Sequence, residues 1–146
     1  MREILFRGKR LDNGEWVEGA FVGKYDPLLC ISYAFIIAQK PKDSFVTWYA
    51  VDPNTVGQCT GMLDQNDSRI FEGDIVQDMK GTIYMVVWGG AGFSLRYDPP
   101  HAHGHHCELL PLHNYWSAHG AIVVIIGNIH DNPDLLKGEK HDSYTY

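Results

Sequence analysis

The chain is poor in cysteine, poor in cations and without a long apolar run, and each shortage excludes a class of protein. Its three cysteines, Cys30, Cys59 and Cys107, are an odd number with no CxxC spacing, so neither a disulfide framework nor a zinc ribbon is indicated. A reducing, cytoplasmic setting is the expectation. The longest mostly apolar stretch, Leu28 to Ala38, has 11 residues and is broken by Ser32. That is far below the roughly 20 residues a helix needs to cross a bilayer, so no membrane association is expected. The first ten residues mix Arg2, Glu3, Arg7, Lys9 and Arg10 with Ile4, Leu5 and Phe6; they contain no apolar signal-peptide core, and export is not expected. Lys and Arg total 12 against 18 Asp and Glu, a net charge of −6. Acidity of that size argues against a protein whose whole surface binds phosphate backbones.

Catalytic motifs are also missing. The sequence holds no G-x-S-x-G elbow, no Walker-type phosphate loop, no G-x-G-x-x-G and no H-E-x-x-H, so enzymatic activity has little support. What is present is material for a β fold. Of 146 residues, 45% are hydrophobic, with eight Tyr, six Phe and four Trp, and 15 Gly and seven Pro supply the turns. A chain of this length forms one domain that buries roughly 68–70% of its unfolded surface, enough for a core without disulfides or metal.

Strand signals recur along the chain. Ile4 to Arg7 and Trp16 to Tyr25 flank Asn13-Gly14, which predicts a hairpin. Leu28 to Gln39 is apolar without a 3.6-residue stripe and reads as a buried strand or a short buried helix; Pro41-Lys42-Asp43-Ser44 separates it from a strand over Phe45 to Val51. Asp52-Pro53-Asn54 forms either one helical turn capped by Asp52 or a simple turn. Val56 to Thr60, Ile75-Val76, Thr82 to Trp88, Phe93 to Tyr97 and Ala121 to Ile126 read as further strands, and a short helical piece reaches Leu136. Gly57, Gly61, Gly73 and Gly127 fall at turns. Ile70, Phe71, Ile75 and Val76, around Glu72-Gly73-Asp74, are placed in the core. Asp98 to Glu108 reads as a loop, and residues 137–146 as a loosely held tail.

Two stretches carry a resemblance. Val51-Asp52-Pro53-Asn54-Thr55-Val56-Gly57-Gln58-Cys59-Thr60-Gly61-Met62-Leu63-Asp64, continued by Ile70 to Val76, resembles the central signature of the YopX family of phage and prophage proteins. Val124 to Leu136, with Gly127-Asn128-Ile129-His130-Asp131-Asn132-Pro133, is similar to that family's closing motif. The resemblance spans residues 2 to 136. It implies a complex, mostly β fold, with N-terminal strands over about 1–51 packed on an SH3-like barrel over about 52–136, and only short helical turns. It supplies no catalytic residue set and no cofactor. The chain departs from the family pattern at Cys59, where an aromatic is usual, and at Asn66-Asp67, where Asn-Gly is common.

Three clusters invite a chemical reading. His101, His103, His105 and His106, beside Cys107, include alternate residues that could converge on one metal ion in an extended strand. Pro99-Pro100 and Gly104 favour a solvated loop instead, and no metal site is assigned. Asp64, Asp67, Glu72, Asp74 and Asp78 begin like a calcium loop, but Arg69 and Ile75 stand where the glycine and the bidentate glutamate belong. Polar turns account for them better. Arg2, Arg7, Lys9 and Arg10, with Trp16 nearby, could contact nucleic acid, although a charged strand edge is the simpler reading. Trp48, Tyr49, Trp88 and Tyr97 read as core aromatics first and contact residues second. The leading expectation is a phage- or prophage-encoded accessory protein in the bacterial cytoplasm, working as a non-catalytic protein-binding or self-assembling module. Nucleic-acid binding through the basic hairpin and a metal-dependent activity of the histidine loop are the alternatives.

Overall fold

The computed structural model describes residues 3–26, 28, 31–39, 45–89, 91–97, 108–112, 116–117 and 120–136. The histidine loop 101–107, Arg2, Cys30, the break at 41–44 and the tail 137–146 lie outside the described residues. Thirteen strands are described: β1 Phe6–Lys9, β2 Trp16–Asp26, β3 Ile31–Gln39, β4 Val46–Val51, β5 Gly57–Leu63, β6 Arg69–Phe71, β7 Asp74–Asp78, β8 Ile83–Gly89, β9 Gly92–Tyr97, β10 Glu108–Pro111, β11 Trp116–Ser117, β12 Gly120–Ala121 and β13 Val123–Asn128. Two short 3₁₀ turns, Pro53–Thr55 and Pro133–Leu136, are described in full, and Leu112 also has 3₁₀ conformation. The mostly β class expected from the sequence is what the structure shows. Of the Leu28 to Gln39 run, Ile31–Gln39 is strand, and Asp52 is the cap of a single helical turn.

Contacts divide the chain into two compact units, Met1–Gly61 and Met62–Tyr146. In the first, strands pair antiparallel in the order β4–β3–β2–β1–β5. The hairpin predicted at Asn13-Gly14 forms there: Lys9 faces Trp16, the Arg10 N–H donates to the Glu15 carbonyl, and Gly14 takes a φ of 70°. The sheet then curls until its ends touch. Arg10 bridges Val51, the Leu11 N–H donates to the Ala50 carbonyl, and the Asp52 N–H donates to the Lys9 carbonyl. Where the turn Pro53–Thr55 interrupts this ladder, the Thr55 hydroxyl accepts from the Lys9 N–H at 2.9 Å and donates to the Asp52 carbonyl at 2.7 Å.

Curling gives this sheet an inside and an outside. Side chains alternate along a strand, and Phe6, Val17, Ala34, Ile36 and Val51 fall on the inner parity, where they form the core with Val56. Gly19 belongs to this parity, and a Cβ there would sit 2.1 Å from the Ile37 carbonyl oxygen. Only glycine lets the backbone approach that closely.

The second unit centres on the antiparallel sheet β10–β9–β8–β7–β13. Ile70, Val76, Tyr84, Val86, Leu95, Leu112 and Val123 are buried together, with Met62, Phe93, Tyr97 and Ile125 against them. Phe71 and Ile75 are also fully buried, so all four residues read as core around Glu72-Gly73-Asp74 are core. β10 is a strand the sequence did not announce; it pairs with β9, Glu108 opposite Tyr97. Carboxylates fix the turns. Asp64 Oδ1 accepts the N–H groups of Asn66 and Ser68, while its Oδ2 accepts the Ile125 N–H at 3.0 Å, 61 residues away. Asp74 Oδ2 accepts from the Phe71 N–H at 2.7 Å, and Asp78 accepts from Lys80, Thr82 and the Tyr84 hydroxyl. In the run that begins like a calcium loop, Asp64, Asp74 and Asp78 are therefore turn-closing carboxylates. After β13, Asn128 Oδ1 accepts from the His130 and Asp131 N–H groups and closes the family-like terminal motif.

These contacts yield three expectations. Asp64→Ala leaves three backbone donors without their acceptor; at about 1–3 kcal/mol for each buried unmet group, discounted for water reaching the turn, it should cost about 2–4 kcal/mol in chemical denaturation. Gly73 has a φ of 90°, so Gly73→Ala should cost about 1–2 kcal/mol through left-handed strain. Burial raises the Glu72 carboxyl above its ordinary 4.5. A raised carboxyl favours the folded state least when ionised, so Glu72 should destabilise progressively as pH rises from about 4 towards neutrality. Glu72→Gln should be more stable than wild type at pH 7 and equal to it at pH 3, read from melting temperatures across that range.

Candidate functional site

The outer parity of the curled sheet carries exposed apolar side chains on three adjacent strands of the first unit. β2 and β3 pair with Ala20 opposite Ile37 and Val22 opposite Phe35; β3 and β4 pair with Ile37 opposite Trp48 and Phe35 opposite Ala50. Directly opposed residues share a face, so Ala20–Ile37–Trp48 and Val22–Phe35–Ala50 are adjacent rows. Tyr33 extends the second row along β3. The Tyr33 and Phe35 rings lie 6.1 Å apart and the Phe35 and Trp48 rings 6.0 Å apart, both edge-on. Trp48 is 56% exposed and Val46 55%, with Val22 and Tyr33 also exposed. With the half-buried Phe35 and Ile37 between them, these exposed residues make one apolar face across three strands, and contiguous apolar patches are rare on monomeric domains.

Trp48 and Trp88, read as core first, are both at the surface. Trp88 is 62% exposed on the β8–β9 hairpin, where its ring meets Phe93 edge-on at 4.8 Å. Tyr49 and Tyr97 are half-buried, Tyr97 against the core of the second unit. Both tryptophans lie within runs of strand formers that carry no charge, Val46 to Val51 and Ile83 to Trp88. Such runs carry no parity signal to separate inside from outside. Val22, Tyr33, Phe35, Ile37 and Val46 were not singled out as a surface for the same reason.

The basic hairpin is drawn into the sheet. Arg7 and Lys9 share the outer face with Trp16, the Arg7 guanidinium carbon 4.6 Å and the Lys9 nitrogen 5.6 Å from its ring centroid. Arg10 lies 4.5 Å over the Tyr49 ring and binds both oxygens of the Asp12 carboxylate through Nε and Nη2. That hydrogen-bonded pair holds the Asp12 carboxyl below its ordinary value and the Arg10 guanidinium above its own. β1 is paired with β2 on one side and β5 on the other, so these cations lie on the face of an interior strand and not along the charged strand edge expected from the sequence.

The remaining candidates are quickly placed. Cys59 is half-buried with a free thiol, and its Sγ accepts from the Gly61 N–H at 3.5 Å. Among the described residues, no group of three His, Cys, Asp or Glu is placed to hold a metal; His101, His103, His105 and His106 lie outside them. Among the same residues, no helix is long and apolar enough to cross a membrane.

Comparison with known proteins agrees with the motifs. No curated protein matches the chain. A crystal structure of protein EF1440 from Enterococcus faecalis is similar in fold, with a TM-score of 0.53 and 21% identity over 93% of this chain and 99% of that one. The family model described as YopX protein matches residues 5–137, which takes in the hairpin, the capped turn at Asp52 and the closing motif at Asn128. The chain belongs to the YopX family.

Proposed function

We propose that the protein is a phage- or prophage-encoded accessory protein that works in the bacterial cytoplasm by non-catalytic association with another copy of itself. In this reading the N-terminal strands supply the contact surface, and the SH3-like barrel that the family resemblance puts at about 52–136 is a separate part of the chain. The observation that carries it is the exposed outer face of β2, β3 and β4, with Tyr33, Phe35 and Trp48 in ring contact across neighbouring strands. A protein surface suits this face better than a nucleic acid. Arg7 and Lys9 of β1 are packed on Trp16, Lys24 is, among the described residues, the one cation at a register position beside the face, opposite Tyr33, and the chain as a whole carries −6, so the net field does not favour phosphate.

Sedimentation across a range of protein concentrations tests this. Wild-type protein should show reversible association, and Trp48→Lys, which puts a charge in the middle of the face, should weaken it at least tenfold with the fold intact by circular dichroism. A Trp48→Lys protein that associates as wild type does would overturn the reading. So would salt-dependent binding of a single-stranded oligonucleotide that the same substitution abolishes, because that result assigns the face to stacked bases.

A further inference from the structure

The edge of β4 is more specific about how two copies meet than the face is. Among the described residues, β4 ends the sheet order, with β3 as its one laddered neighbour. Its outer side is already taken at one end, where the Ala50 carbonyl accepts from the Leu11 N–H and Val51 bridges Arg10. In an antiparallel strand alternate residues direct both backbone groups to the same side. Because Ala50 points outward, Trp48 and Val46 do too, while Thr47 and Tyr49 bond to β3. The open edge is therefore short and defined: the N–H and C=O groups of Val46 and Trp48.

Nothing in this stretch blunts the edge. Phe45-Val46-Thr47-Trp48-Tyr49-Ala50-Val51 contains no charge and no proline, although lysine and proline are the usual protection of a free strand. In a chain of net charge −6, a neutral strand is also a place where two copies can be opposed without bringing like charges together.

We infer, resting on the self-association proposed above, that two copies pair antiparallel through β4 about a two-fold axis passing between their Thr47 residues. Symmetry leaves few registers. A two-fold pairing that keeps each outer face beside its mate requires opposed residue numbers with an even sum. Centring on Trp48 would bring Val46 against Ala50, whose outer side Leu11 occupies. Centring on Thr47 opposes Val46 to Trp48 of the second copy and uses every open group of the edge in four hydrogen bonds. It makes two β-branched–aromatic pairs on the outer face and opposes Thr47 to itself, both favourable cross-strand combinations. It also sets Phe45, 81% exposed, opposite Tyr49 of the second copy. The aromatic face then runs without a break across both copies.

Disulfide trapping reads the register. On the axis, the opposed positions form a non-hydrogen-bonded pair with Cα atoms about 4.5 Å apart, within the roughly 4.4–6.8 Å a disulfide accepts. Thr47→Cys should give a covalent dimer on mild oxidation, with the link mapped to position 47 by mass spectrometry. Val46→Cys should not, because its two copies lie on a diagonal of about 7–8 Å. Val46→Pro removes an outward N–H while sparing the bonds to β3, and should weaken association at least tenfold; Val46→Lys repeats the test by charge if the proline variant fails to fold. Self-association that Trp48→Lys abolishes, without a link at position 47 or with an equal link at 46, would overturn the edge pairing and leave the face reading standing. Wild-type protein that is monomeric at 1 mM, on the order of the highest practical concentration, would overturn both.

Discussion

Closure of β1 onto the broken strand formed by β4 and β5 is the constraint on which the first unit depends. Without the Arg10–Val51 bridge, β1 to β4 would be an open sheet with two comparable faces. With it, one parity becomes core and the other surface. The sequence Val51-Asp52-Pro53-Asn54-Thr55 makes this closure feasible despite an interrupted ladder. Val51 is buried inside, Asp52 caps the turn by accepting from the Asn54 N–H, Pro53 begins it with a preset φ, and Thr55 returns an acceptor to Lys9. A buried N–H left unmet at Lys9 would otherwise offset much of the gain from closing the sheet. The same closure covers Ala50 and so limits the open edge of β4 to the backbone groups of Val46 and Trp48.

The second unit solves a related problem with carboxylates. Its sheet brings together segments far apart in sequence, and turn geometry alone cannot hold β13 in register. Asp64 joins a local task, closing the turn to Ser68, with a distant one, bonding the Ile125 N–H. Asp74 and Asp78 act locally in the same manner. Three carboxylates of an acidic stretch that looks like ion chemistry in one dimension, Asp64, Asp74 and Asp78, are engaged by backbone donors in three.

How much of this was legible follows from how local each signal is. Asn13-Gly14 announces its hairpin because the turn needs a residue with positive φ there, and Asp52-Pro53 announces its capped turn for a similarly local reason. β10 was not announced: Glu108 to Pro111 has four residues, a charge at one end and proline at the other, and it becomes a strand only through pairing with β9. Whether Trp48 is inside or outside depends on the bridge between Arg10 and Val51, 41 residues apart in sequence, and no pattern within Val46 to Val51 encodes it. The candidate face was hidden for that reason. Its residues are ordinary strand formers, and only curvature gives them a common side.

The bond between Asp64 and Ile125 also bears on how the protein emerges from a ribosome. Residues 1–61 hold every strand pair of the first unit's closed ladder, so that unit can settle while the rest is being made. The second cannot. Its earliest turn waits for a strand 61 residues later to supply the donor for Asp64, and at about 5–20 residues per second that is a delay of roughly 3–12 s. During this interval β7, the strand that β13 will cover, has an open flank, and the nascent chain is most exposed to unintended partners before Ile125 arrives.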